Sequence, residues 1–261
     1  MDTLMHALRG ANATLARQSA RAEVLLVLGG GGMLGAALVA RALACGRFAR
    51  VQAAVDKPLA SALRGFEPLP AERLGGRLQA DTAVIVFERA WRSNGRDEAF
   101  LQPQPAHLAM LAAQLRAGGV RRLLVVVPHA PALLPQALKQ GFASIDEGRV
   151  AAMGFEQLLF VRSAQSAAPA GVAHWSQRLA AAWWSQLAWM VPQSEQPVRA
   201  PRVAELAVEL AWRMADAPSA TRVLPPDLLR EAAQSQDGGA LLSAWLEGAP
   251  LPRASAPAQR W

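Results

Sequence analysis

The chain of 261 residues has no tyrosine, a single cysteine and two lysines. One cysteine, Cys45, excludes a disulfide framework and any site built on several thiolates. The four histidines, His6, His107, His129 and His174, show no HxxxH or HExxH spacing, so a metalloenzyme has no support. No apolar run reaches the roughly 18 residues that a spanning helix needs. Residues 1–22 carry arginines but no continuous apolar stretch of signal-peptide length, so the expected location is cytoplasmic. With Lys57 and Lys139 the only lysines, the net charge of +7 rests on arginines spread along the chain. That is the pattern of a solvated surface, not of a clustered nucleic-acid patch interleaved with aromatics.

What is present is an ordered, apolar chain, 52% hydrophobic. Val24 to Leu28 is a continuous β-branched and leucine run bounded by glycine, the signature of a strand buried on both faces. A helix is expected from Met33 to Ala44, a short strand over Val51 to Val55, and buried strands over Thr82 to Phe87, Arg122 to Val127 and Gln157 to Val161. Leu59 to Gln79 predicts a short helix and a weak edge strand. Asp97 to Ala117 supports a helix begun or interrupted by Pro103 and Pro105. Strands alternating with helices imply right-handed crossovers, hence an α/β, Rossmann-like, doubly wound parallel sheet with helices on both faces. Further helices are expected around Val172 to Met190 and from Arg202 to Ala215. Beyond Asp216 the expectation is a small helical part around PPDLLREAA and a mobile tail. The domain reading is therefore an N-terminal extension over 1–21, a Rossmann-like domain over 22–215, and a C-terminal part over 216–261.

The first strand runs into Gly29-Gly30-Gly31-Gly32, and Gly29, Gly32 and Gly35 make GxxGxxG between strand and helix. Such a turn serves a tight reversal, a backbone approach without Cβ to a pyrophosphate, and close packing of helix on strand. Met33 and Leu34 open the helix, whose free N–H groups and partial positive charge suit a phosphate. Asp56, at the end of the second strand and 21 residues after Gly35, is placed to bond ribose hydroxyls and to favour NAD over NADP. Lys57 beside it softens that preference. The blander alternative is a relict turn, with Asp56 merely capping a loop.

The GxxGxxG spacing resembles the short-chain dehydrogenase/reductase superfamily, in particular its atypical extended members. "RFARVQAAVDKPL", "GRDEAFLQPQPAHLAMLAAQLRAGGVRRLLVVV" and "GFEQLLFVRS" are similar to the corresponding stretches of the Tat-interacting-protein-like branch, and the likeness covers roughly residues 22–215. The resemblance implies an NAD(P) cofactor and a reaction run by a Tyr-x-x-x-Lys pair with a serine, the tyrosine being the acid/base. Gap-free counting puts the tyrosine's place at Lys139, the lysine's at Ala143 and the serine's at Val127 or Pro128. With no tyrosine anywhere in the chain, the family's standard reaction is not expected. Glu88 stands where the family has a glycine near the dinucleotide. Its charge is expected to repel a pyrophosphate unless it turns away or pairs with Arg89 or Arg92. The family's later Arg-Pro is Arg162-Ser163 here.

Three functions follow from these features, the third being a scaffold that binds no nucleotide. The first is a dinucleotide-binding protein without dehydrogenase catalysis, acting as a binding, regulatory or assembly protein. The second is an active NAD(P)-dependent oxidoreductase or isomerase in which a substrate group, water or Lys139 handles the proton. His129, after the strongest strand, sits where ligand loops fall in open sheets, and Ser144 lacks a GxSxG context. Trp175, Leu179, Trp183 and Leu187 recur every four residues, so the helix up to Met190 has one apolar face. That face either packs on the sheet or meets a protein partner or second copy.

Overall fold

The computed structural model of the protein describes residues 23–61, 63–88, 95–129, 145–164, 198–235 and 237–251. Among them, seven parallel strands form one sheet in the order β3-β2-β1-β4-β5-β6-β7. The strands are β1 (Val24–Leu28), β2 (Arg50–Val55), β3 (Phe66–Pro70), β4 (Thr82–Val86), β5 (Arg122–His129), β6 (Gln157–Ala164) and β7 (Ala220–Leu224). Every residue of β1 and β4 is buried, as an apolar run flanked by parallel neighbours and covered on both faces requires. The α/β doubly wound expectation is therefore met. The order reverses beside β1, which puts a crevice at the carboxyl ends of β1 and β4.

Helices α1 (Gly32–Ala44), α2 (Leu108–Ala117), α3 (Ile145–Ala151), α4 (Ala200–Arg213), α5 (Pro226–Gln234) and α6 (Gly238–Glu247) cover the sheet. Leu34, Leu38, Val39 and Ala42 give α1 a buried stripe, which packs into one core with Leu25 and Val27 of β1 and with apolar residues of α4, α5 and α6. The opposite face buries Leu26, Leu28, Ile85 and Phe87 under Leu108, Leu111 and Leu115 of α2 and Val150 of α3. Outside the first core, α1 and α4 are tied by ion pairs. Arg41 of α1 reaches Glu205 of α4 at 3.0 Å, and Arg47, just past α1, pairs with Glu209 of α4, which also pairs within α4 with Arg213 at 2.6 Å.

Three sequence expectations change. The stretch from Asp97 starts in a 3-10 turn, Gly95–Ala99, is held out of helix around Pro103, and turns helical again at Pro105 through a second 3-10 turn, Pro105–His107, with regular helix from Leu108. Leu59 to Gln79 yields the expected edge strand, β3, with a 3-10 turn, Ala71–Arg73, in place of the short helix. After residue 215 the chain returns to the sheet as β7, and α6 follows α5. Strand β7 is a half-buried edge between Pro218 and Pro225, and α6 opens on Gly238-Gly239, so neither carries a clear signal. The expected N-terminal extension, the Trp175–Met190 helix, Lys139 and Ser144 lie outside the described residues.

Candidate functional site

The crevice beside β1 is built by the glycine turn. Gly29 (φ 86°) and Gly32 (φ 78°) adopt the left-handed backbone that side chains resist. At Gly35 the requirement is space: a Cβ there would lie 1.8 Å from the Gly29 carbonyl oxygen, so only glycine lets α1 sit this close to the end of β1. Gly29 and Gly32 thus make the turn and Gly35 the close packing of helix on strand that the spacing predicts. Gly31 is the N-cap of α1 and has no side chain with which to cap, which leaves the N–H groups of Met33 and Leu34 to find another acceptor.

That acceptor is Glu88. Its Oε1 receives hydrogen bonds from Met33 N and Leu34 N, each at 3.0 Å. The carboxylate does not turn away from the glycine turn; it rests on the helix N-terminus itself, the place where a cofactor's phosphate would be expected, and the alternative partners Arg89 and Arg92 lie outside the described residues. Two charge-assisted bonds and the helix dipole favour the negative charge there. The other oxygen, Oε2, is buried and has no hydrogen-bond partner among the described residues.

The adenosine side of the crevice is also filled from within the chain. After β4 the chain returns along the end of β2. Leu101 N donates to Ala54 O at 2.9 Å, the Ala99 carbonyl accepts from Asp56 N at 2.8 Å and Lys57 N at 3.3 Å, and Phe100 bridges Val55 in antiparallel sense. A Cβ on Gly30 would meet the Phe100 ring at 2.9 Å, one on Gly31 the Asp97 carbonyl oxygen at 2.8 Å, and one on Gly29 the Pro103 ring at 3.2 Å. Gly29, Gly30 and Gly31 are buried as a result. The Asp56 side chain is exposed, and the exposed Lys57 Nζ stands 3.5 Å from Glu98 Oε2.

The structure thus brings Gly29, Gly32, Met33, Leu34, Gly35, Asp56 and Lys57 to one edge of the sheet, and the connection following β4 touches or holds all of them but Gly35. In this arrangement the residues do not fit a dinucleotide pyrophosphate. Its two helix donors are taken. A second negative charge about 4 Å from Glu88 would be repelled by about 4 kcal/mol at an effective dielectric of about 20, roughly a thousandfold in affinity.

At the end of β5, where the resemblance places a serine, stand the half-buried Val127 and then Pro128, neither with a hydroxyl. The β6 end places Arg162 differently from a ligand-facing residue: it is 2% exposed and bonds Glu147 of α3 at 3.0 Å. A second buried pair, Glu23 with Arg122 at 3.2 Å, joins the opposite ends of β1 and β5, and Arg122 also donates to Thr82 at 2.8 Å. Among the described residues no group of His, Cys, Asp and Glu is placed to hold a metal ion, and no helix is long and apolar enough to cross a membrane. Phe100, Pro103 and the Asp97 carbonyl are absent from the sequence-based site. Their only sequence signal is the proline pair after Phe100, which marks an extended segment without saying what it covers.

No family model and no curated protein matches this chain. Solved structures that it is similar to include a candidate exported protein of Burkholderia pseudomallei (17% identity, TM-score 0.33, covering 53% of this chain and 72% of that one). Others are a candidate epimerase of Bacteroides thetaiotaomicron (18%, 0.32, 54% and 70%) and a Rossmann-fold NAD(P)-binding family protein of Shigella flexneri (14%, 0.32, 54% and 67%). The Rossmann-like fold of this chain rests on its own strand order and register.

Proposed function

We propose that the chain keeps the architecture of a dinucleotide-binding protein without the chemistry of a dehydrogenase, and works as a binding, regulatory or assembly protein. The observation that carries this reading is the end of β5, which offers Val127 at the crevice where a hydroxyl donor would be needed, in a chain with no tyrosine. Hydride transfer to or from a carbonyl requires a proton donor or acceptor within hydrogen-bond reach of the reacting oxygen, and a valine side chain is neither. The resemblance implies NAD or NADP, with NAD favoured by Asp56, but Glu88 on the α1 N-terminus opposes a pyrophosphate in this arrangement, so the reading does not require a bound cofactor. The tryptophan pattern between Trp175 and Met190, unless it packs on the sheet, is the part of the chain that would meet a protein partner or second copy.

The test is to follow NADH and NADPH oxidation by the purified protein with a panel of aldehydes, ketones and enones. The expected result is no turnover above the uncatalysed rate. Cofactor-dependent turnover that disappears in Lys139→Ala would overturn the reading in favour of an oxidoreductase or isomerase with a lysine proton donor.

A further inference from the structure

We infer that this chain carries an internal ligand in its own dinucleotide seat. The Glu88 carboxylate stands in for a phosphate on α1, and the Phe100 ring with the Asp97 carbonyl fills the neighbouring space over the glycine turn. The two halves are separate observations. Glu88 occupies the hydrogen bonds, since its Oε1 takes both N–H groups that an N-cap side chain or a bound anion would take. Segment 97–103 occupies the volume, since the closest approaches over Gly30 and Gly31 are to its Phe100 and Asp97, and over Gly29 its Pro103 ring comes next after the Val86 carbonyl oxygen of β4.

The two halves belong to one connection, which begins where β4 ends and is fastened to β2. Phe87 N still bonds Val126 O at 2.9 Å, so the β4 end is fixed one residue before Glu88. Further on, Ala99 and Leu101 are hydrogen-bonded to Ala54, Asp56 and Lys57, and Phe100 packs edge-on to Phe66 of β3 at 6.5 Å between centroids. A carboxylate held at a helix N-terminus by a fixed strand end is pre-organised, and an incoming phosphate must displace it to reach the N–H groups of Met33 and Leu34. The buried, unpartnered Oε2 marks what the arrangement lacks. The carboxylate fills the seat of a group with more oxygens, without satisfying all of its own.

The consequence is a ranking of ligands by size and charge. Inorganic pyrophosphate needs only the place of the carboxylate, whereas NAD⁺ also needs the space of the Phe100 ring. Thermal unfolding and calorimetry on the full chain, as wild type, Glu88→Ala, Glu88→Gln and the double variant Glu88→Ala with Phe100→Ala, separate the two. The wild type is expected to show no heat and no change in Tm with millimolar pyrophosphate or NAD⁺. Glu88→Ala is expected to lose several degrees in Tm and regain most of them with pyrophosphate but not with NAD⁺. The double variant is expected to respond to both. Should Glu88→Ala fail to fold, Glu88→Gln keeps an acceptor for the two N–H groups without the charge and is expected to gain a measurable pyrophosphate response.

Wild-type binding of NAD⁺ as tight as that of the double variant would overturn the inference. So would a folded Glu88→Ala or Glu88→Gln indifferent to pyrophosphate, which would make Glu88 a helix cap alone. The inference stands apart from the absence of catalysis proposed above: turnover tests that reading, and these binding ranks test the seat.

Discussion

A Cβ built on Gly32 would lie 2.4 Å from Glu88 Oε2, closer than any real contact. Because Gly32 also has φ 78°, Gly32→Ala meets two penalties, backbone strain and the displacement of the carboxylate that caps α1. The first costs about 1–2 kcal/mol and the second about 1 kcal/mol, so a loss of roughly 2–3 kcal/mol is expected in urea unfolding. Gly148→Ala in α3 is the matching control, having a negative φ and nothing within 4 Å of the new methyl. It should raise stability by about 0.5–1 kcal/mol through helix propensity. Equal effects of the two substitutions would show that the Glu88 contact carries no strain.

Gly35→Ala is expected to be worse than Gly32→Ala. Its methyl would stand 1.8 Å from a backbone oxygen, and neither α1 nor the end of β1 has a flexible side chain to yield. The relief available is a shift of the helix off the sheet, which opens the core around Leu34 and Leu38. A loss of about 3 kcal/mol or more is expected, with the soluble yield falling accordingly. A midpoint within experimental error of wild type would mean that α1 can retreat without cost.

Much of this was legible in the sequence, and the reasons differ by element. Strands β1, β4 and β5 are read correctly because central parallel strands are buried on both faces and show it as unbroken apolar runs. The glycine roles are legible because they are local: φ at Gly29 and Gly32, and the approach at Gly35, depend on neighbours within a few residues. The seating of Glu88 on Met33 and Leu34 is not local, since it spans 55 and 54 residues. A sequence gives the sign of that charge and the strand end it follows, but not whether the side chain faces the helix. The return of residues 99–101 along β2 is harder still. Backbone hydrogen bonds carry that contact, and any sequence can make them.

Arg162 and Glu147 form a pair whose side chains are 2% and 5% exposed. Removing Glu147 takes a buried counter-charge away from Arg162, so Glu147→Ala is expected to cost up to about 3–5 kcal/mol. The exposed Asp81, 3.2 Å from Arg121, should lose about 0.5 kcal/mol or less on substitution by alanine. Replacing both members by apolar residues, as Arg162→Met with Glu147→Leu, should recover most of the Glu147→Ala loss. Chemical denaturation of the four proteins decides the matter. A double variant as unstable as Glu147→Ala would mean that the pair is needed for the shape of the β6 end and not for charge balance.

Glu209 supplies the pH dependence. Burial alone would raise its carboxyl, but the hydrogen bond from Arg213 and the nearby charge of Arg47 outweigh that and hold it below its ordinary value of 4.5. A folded-state pKa below the unfolded one means that the unfolded chain binds the proton more readily. The carboxylate therefore adds stability that is fully present above the unfolded value and is lost as the pH falls through the folded one. Its partner Arg47, just past the end of α1, ties that end to α4, so the loss should loosen this junction first. Measured from neutral pH down to about 3, the Tm of wild type should exceed that of Glu209→Gln near neutrality, and the gap should close below the ordinary carboxylate range. A gap independent of pH would trace the effect of the substitution to packing and exclude the charge of Glu209 as its source.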